Sequence, residues 1–133
     1  MAKTSGVGWT TLSLDNGAAS LIDIKNDVTN FNFATPRAVQ DVTGVDKSAI
    51  ERLLLLADFS GTLNGVFNPT VSHLVLRTVS STSINRTLSL AVASQTLSNE
   101  VLVTDYQLSR GQDGALTWAS PFSLADGAVP TWA

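Results

Sequence analysis

The stretch LLLLADFSGTLNGVF, residues 53–67, decides the fold class. From residue 58 onward, polar side chains fall on one face and apolar side chains on the other: Asp58, Ser60, Thr62 and Asn64 against Phe59, Leu63 and Phe67. This period of two is typical of a half-buried antiparallel strand. The four leucines that precede it, residues 53–56, require burial on both faces. We therefore predict a strand that passes from a covered to an open part of a sheet.

The same alternation recurs along most of the chain. In INRTLSLAVA, residues 84–93, apolar side chains share one face, and Arg86 interrupts that face near its start, where we expect the strand to enter from the rim. Asn16-Gly17 and Asp113-Gly114 are the residue pairs that tight hairpin turns require. The second pair predicts a hairpin that returns through Trp118, which we expect to be buried. The pattern predicts a mainly antiparallel β fold.

Two stretches depart from this pattern. In NPTVSHLVLRTV, Asn68 is a candidate N-cap and Pro69 suits the first helical position, so we predict one flanking α-helix over about 68–79. Its β-branched residues also permit a strand. Residues from about 34 to 51 are predicted to form a long polar loop, which in a compact domain is usually functional or disordered.

Composition limits the classes of function. The chain has 133 residues, no cysteine, one histidine and a net charge of −3. This length suits one domain, 1–133, with its own core. We expect no metal site, no cofactor and no tight nucleic-acid binding, because thiolates, histidine clusters and basic stripes are missing. The longest apolar run, Leu53–Ala57, is too short to span a membrane, and no catalytic motif is present, so we do not predict an enzyme.

Three segments carry a resemblance to a known family. These are TGVDKSAIERLLLLADFSGTLNGVFN (43–68), VTDYQLSR (103–110) and DGALTWASPFSLADGAVPTWA (113–133). Together they resemble the major tail (tail tube) proteins of long-tailed bacteriophages, in the form carried by phages and prophages of actinobacteria. The resemblance implies an antiparallel β-sandwich or rolled sheet. It also implies a virion protein that assembles in the bacterial host cytoplasm into stacked hexameric rings.

Such a tube conducts DNA without binding it specifically, and its other partners are the tape measure and tail terminator proteins. The resemblance implies that the long loop reaches neighbouring subunits. We therefore expect inter-subunit contacts at Arg37, Asp41, Asp46, Lys47, Arg52 and Trp132. The polar row Asp58, Ser60, Thr62 and Asn64 is a candidate for the lumen or the outer face. A C-terminal arm over about 121–133 packs either on its own subunit or on a neighbour, and both interpretations stay open.

The alternative function is a monomeric β-sandwich binding module that recognises carbohydrate or decorates a capsid or cell surface. Such modules present exposed aromatic side chains near their loops. Here most aromatic residues occupy alternating strand positions, which favours a core location. The candidate strands also lack the prolines and lysine clusters that protect sheet edges, which favours deliberate pairing between copies.

Overall fold

The computed structural model describes residues 3–133, so the first two residues of the predicted domain lie outside the described range. Ten strands and one short helix follow each other in this part of the chain. Their bounds are β1 (Thr11–Asp15), β2 (Leu21–Asp23), β3 (Val28–Ala34), β4 (Arg37–Asp41), β5 (Arg52–Ala57), β6 (Ser60–Val66), α1 (Ser72–Leu76), β7 (Arg86–Val92), β8 (Gln95–Val103), β9 (Gln107–Arg110) and β10 (Leu116–Leu124). The predicted antiparallel β fold with one flanking helix is confirmed.

Eight of the strands form one sheet in the order β2-β1-β7-β8-β10-β6-β3, with β9 paired to the first half of β10. All pairings in this sheet are antiparallel. Strands β8 and β10 share only the positions Val101–Val103 and Phe122–Leu124, so the sheet folds over at this seam. One half is β2-β1-β7-β8 and the other is β3-β6-β10-β9. The remaining strands, β4 and β5, form a separate two-stranded hairpin.

The core lies between the two halves. Apolar side chains at inward positions of both halves are almost fully buried: Leu12, Leu14, Leu88, Leu90, Leu97 and Val101 from one, and Phe59, Leu63, Trp118 and Phe122 from the other. Trp118 is 2% exposed, which confirms its predicted burial. Inward positions of β6 that lack a side chain, Gly61 and Gly65, allow the rings of Phe122 and Trp118 to lie against the strand. Close packing of this kind is the main source of folding free energy.

Segment 53–67 differs from the single strand we predicted. It forms two strands in two different sheets, β5 and β6, separated by Asp58 and Phe59. The amide of Asp58 donates to the carbonyl of Pro36 at 2.9 Å, and this bond closes the base of the β4–β5 hairpin. The predicted loop over about 34–51 was wrong in its first part, because residues 37–41 form β4 and pair with β5.

Two other boundaries shift. The helix is confirmed at its place but spans only Ser72–Leu76, because Asn68 Oδ1 accepts the Thr70 amide at 3.0 Å and holds a turn there. The helix is instead capped from a distance: the buried carboxylate of Asp27 accepts the Ser72 amide at 3.2 Å. At the C-terminus, residues 121–124 of the predicted arm belong to β10, so the arm begins at Ala125.

Arg86 was predicted at the rim and is found inside the protein, 2% exposed. Its guanidinium donates to the backbone carbonyls of Asp15 and Val75 and to the hydroxyl of Thr78. A buried charge is tolerated only when its donors are satisfied. The end of β1, the helix α1 and the turn after it provide these acceptors, which a pattern along one strand does not reveal.

Candidate assembly surface

The β4–β5 hairpin projects from the main sheet, and within residues 3–133 its two strands pair with each other alone. Arg37 fixes the base, since its Nη2 and Nε donate to the carbonyl of Leu55 at 2.7 and 3.1 Å. At the other end, the Val42 amide donates to the carbonyl of Glu51 at 2.9 Å. The hairpin is therefore ordered by its own hydrogen bonds.

The tip of the hairpin is polar. The hydroxyl and the amide of Thr43 both donate to the carboxylate of Asp41, at 2.6 and 2.9 Å. These hydrogen bonds lower the pKa of Asp41 below its usual range. Across the turn, the amide of Glu51 donates to Thr43 Oγ1 at 2.8 Å. Lys47 and Asp46 form an exposed ion pair at 3.9 Å, a type of contact that contributes little to stability.

The strands of the hairpin are apolar on both faces. Val39 and Leu54 lie opposite each other on one face, and a register shift between Leu54 and Ala57 breaks the alternation at Leu55 and Leu56. Leu54 is 61% exposed and Leu56 is 88% exposed. The other face presents Leu53, opposite Gln40, and both Leu53 and Leu55 are also exposed in the single chain. The predicted burial of the four leucines is thus not achieved within one chain.

Five of the six predicted contact residues share this hairpin and are exposed: Arg37, Asp41, Asp46, Lys47 and Arg52. The sixth, Trp132, lies apart from it on the C-terminal arm. Its ring is 6.1 Å from Phe33 of the same chain, and the arm packs in cis. Sequence reasoning missed the apolar hairpin residues as surface candidates, because a run of leucines was interpreted as core. One feature of the sequence indicated their exposure: the polar segment 41–51 precedes the leucines and separates them from the strands before it.

A second surface is the outward face of β3-β6-β10-β9. Its side chains are small and polar, and Asn64 Nδ2 donates to Asn30 Oδ1 at 2.9 Å across two strands. Within these four strands, all of which the structure describes, Arg110 is the only charged residue. The predicted row Ser60, Thr62 and Asn64 lies on this face, and Asp58 precedes it at the base of the hairpin. The surface is hydrophilic and close to neutral.

Two edges of this half-sheet are open. Along the part of the chain that the structure describes, β3 pairs only with β6 and β9 pairs only with β10. Both strands therefore present a row of backbone donors and acceptors on one side, which is a template for pairing with another strand. They are the opposite edges of the same four-stranded unit.

The remaining features of the described residues are a polar groove and the surroundings of the single histidine. Among residues 3–133 there is no cluster of three or more potential metal ligands, and no helix has the length and apolar composition to span a bilayer. A groove of about 350 Å³ crosses the polar face beside Asn30, Asn64 and Gln107. His73 contacts the hydroxyl of Tyr106 at 3.2 Å and packs on Phe67.

Comparison with known proteins finds likeness at the level of the fold. The sequence matches no protein-family model and no curated protein. The structure is similar to a chain in the tail of an empty GTA particle computed with helical refinement and C6 symmetry. That match has a TM-score of 0.74 at 14% identity and covers 98% of each chain. A chain in the virion of the native gene transfer agent (GTA) particle matches with a TM-score of 0.71 at 13% identity, over 97% of this chain and 99% of that chain.

Proposed function

We propose that this protein is the subunit of a phage-like tail tube, in which six copies form a ring and rings stack into a hollow conduit for DNA. The observation that carries the proposal is the β4–β5 hairpin, whose leucines are exposed on both faces. Contiguous exposed apolar surface of this kind marks a site of association. Because both faces need cover, the hairpin fits between two neighbouring surfaces of an assembly. The shared fold with a tail chain of C6 symmetry supports copies of this chain as the neighbours.

The open edges provide the contact within a ring. Three successive antiparallel pairings separate β3 from β9, so these two strands run in opposite directions. In a cyclic ring every copy has the same orientation to the axis, so β9 of one copy meets β3 of the next in antiparallel register. Six units of four strands would close a barrel of about 24 strands. Barrels of about 16–18 strands already leave an aqueous channel, so this one would remain open.

The polar face of the same half-sheet suits the lumen. A duct for DNA needs a hydrated wall that does not hold phosphates, because each Lys or Arg contact to a phosphate adds affinity. The row Ser60, Thr62 and Asn64 supplies hydroxyl and amide groups without positive charge. Asp58, at the base of the hairpin, would lie at the rim of this wall. DNA would then pass through the tube without specific binding.

The proposed role also determines the location, the partners and the contact residues that we expect for this protein. The protein would act as a structural component of a virion, without enzymatic activity, and would assemble in the cytoplasm of a bacterial host. Its partners would be copies of itself, together with a tape measure and a tail terminator. Five of the predicted contact residues would lie at the interface between subunits, since they flank the apolar part of the hairpin: Arg37, Asp41, Asp46, Lys47 and Arg52. Trp132 would contact a neighbour through its exposed part, which is 45% of the side chain.

The monomeric binding module accounts for fewer of these features. Its ligand platform would need exposed aromatic side chains, whereas Phe59, Trp118 and Phe122 are buried. It also gives no reason for leucines on both faces of a projecting hairpin.

Electron microscopy of the purified protein over a wide range of concentrations tests the proposal. We expect uniform tubes with six subunits per ring, and a reconstruction in which β9 of one subunit pairs with β3 of the next. A protein that stays monomeric at millimolar concentration, or rings joined through other strands, would contradict the proposal.

A further inference from the structure

The sheet has more edges than the proposed ring uses. Strand β2 is an edge of only three residues, and an ion pair at 3.3 Å between Asp23 and Lys25 places charge at its end. An edge of three residues offers few backbone groups to a further strand. Strand β8 is different, because it has nine residues and meets β10 only at Val101–Val103. Its other residues, 95–100, have a second side that β10 does not reach.

The C-terminal residues 125–133, which we name the strap, occupy that side of β8. The amide of Ala125 donates to the carbonyl of Glu100 at 3.0 Å and extends the ladder between β10 and β8 by one residue. The strap then leaves the sheet and returns at its last residue. There the amide of Ala133 donates to the carbonyl of Thr96 at 2.8 Å, and the amide of Thr96 donates to the carbonyl of Ala133 at 2.9 Å. Such a reciprocal pair of bonds is an antiparallel strand contact.

Two further contacts shape the strap between these points. Asp126 Oδ1 accepts the amide of Ala128 at 3.0 Å, and Gly127 adopts a φ of 76°, so the chain turns sharply as it leaves β10. Trp132 packs against Phe33 of β3 with its ring centre at 6.1 Å. The strap therefore joins β8, in one half of the sheet, to β3, in the other half.

We propose that the strap seals the β8 edge against other copies of the chain and so directs assembly to β3 and β9. A strand from another copy could not pair along β8, because β10 already pairs with Val101 and the strap already bonds to Glu100 and Thr96. The bonding positions left between these points are those of Ser98. With β8 covered and β2 offering three residues, the open edges that remain in the main sheet are β3, of seven residues, and β9, of four, on opposite sides of one half-sheet. This inference rests on the proposed tube and adds the reason why copies join in one way.

A reversible lock tests whether the strap stays in place during assembly. Residues in a reciprocal antiparallel pair have Cα atoms about 5.5 Å apart, which lies within the range that a disulfide spans. The chain has no native cysteine, so the double variant Thr96→Cys with Ala133→Cys forms one defined bridge. The reduced form of the same protein is the matched control. We expect the oxidised and reduced forms to make the same tubes at the same concentration.

Deletion of residues 126–133 tests the sealing itself. We expect the truncated chain to form irregular aggregates that bind thioflavin T, at concentrations where the full chain gives uniform tubes or soluble subunits. Far-ultraviolet circular dichroism, compared with the full chain, shows whether the β fold persists in the truncated protein. Truncated protein that behaves as the full chain does would overturn the inference.

The outcomes of these two experiments distinguish failure of the strap inference from failure of the tube proposal. If the reduced lock variant assembles and the oxidised form does not, the strap has to leave during assembly, and the inference fails while the tube stands. If the full chain never assembles, the tube proposal fails. In that case aggregation of the truncated chain alone still supports a seal, and equal behaviour of both chains rejects it.

Discussion

Arg86 Nη1 donates to the backbone carbonyl of Val75 at 2.8 Å and thereby ties β7 to the helix α1. The same nitrogen reaches the carbonyl of Asp15 at 3.0 Å, and Nη2 reaches Thr78 Oγ1 at 2.7 Å. One buried guanidinium thus joins β7 to the distant end of β1 and to α1 with the turn that follows it. Burial lowers the pKa of Arg86, and the nearby carboxylate of Asp15 acts in the opposite direction.

Replacement of this arginine should weaken the fold strongly. Arg86→Met retains a long side chain but leaves the carbonyls of Asp15 and Val75 without these donors. Unsatisfied buried acceptors are costly, so we expect the free energy of unfolding to fall by about 2–4 kcal/mol in urea titrations. Arg77→Met, at an exposed position beside α1, is the matched control and should stay within about 0.5 kcal/mol of wild type. Equal stability of the two variants would show that the Arg86 contacts do not hold the fold together.

The glycine at position 65 should not accept a side chain. A Cβ atom there would overlap the backbone carbonyl of Asp27 and would lie 2.6 Å from Trp118 Cζ2, closer than real Cβ contacts occur. We expect Gly65→Ala to lose about 1–3 kcal/mol of unfolding free energy through overpacking. Gly6→Ala is the control, since a Cβ at Gly6 meets nothing within 4 Å. A Gly65→Ala protein as stable as the control would mean that neither the carbonyl of Asp27 nor the ring of Trp118 lies as close to Gly65 as the structure places them.

Tyr106 is the single tyrosine of the chain, so its ionisation is directly observable by ultraviolet absorbance. Burial raises the pKa of Tyr106 above its ordinary value of 10.0. A raised pKa in the folded state means that the fold favours the neutral phenol. Its contribution to stability is complete below the pKa of the unfolded chain and is lost as the pH rises through the folded pKa. We expect a higher titration midpoint in the native protein than in urea; an equal or lower native midpoint would be inconsistent with the burial.

Sequence patterns predicted the fold where each strand buries one face. The inward positions of Phe59 and Leu63 were predicted correctly, because an alternation of polar and apolar residues indicates directly which face of a strand is buried. Segment 53–56 was not, because four leucines indicate burial without saying whether the partner is the same chain or another copy. Arg86 could not be placed either, since its acceptors lie in segments brought together only by folding. The candidate contact residues were predicted as a group through resemblance, and the structure adds exposed apolar residues that lie between five of them on the hairpin.

Hydrogen exchange should distinguish the hairpin from the core. The β4 and β5 amides are held by a two-stranded ladder alone, and isolated hairpins have marginal stability in water. We expect these amides to exchange much faster than those of β7 and β8 in the free subunit, and to become protected in assembled protein. Hairpin amides that are equally protected in both states would remove the hairpin from the interface.

The most direct test of the central claim is the concentration at which the protein assembles when one hairpin leucine is changed. Leu54→Asp alters a side chain that is 61% exposed in the subunit, so the fold should be unaffected. Burial of a leucine contributes about 1.5–3 kcal/mol. The loss of this contribution at the interface between subunits should raise the assembly concentration by at least about tenfold. Leu21→Asp, at a similarly exposed position on β2, is the control and should assemble as wild type does. Sedimentation that shows Leu54→Asp and Leu21→Asp assembling at the same concentration as wild type would contradict a tube held together by this hairpin.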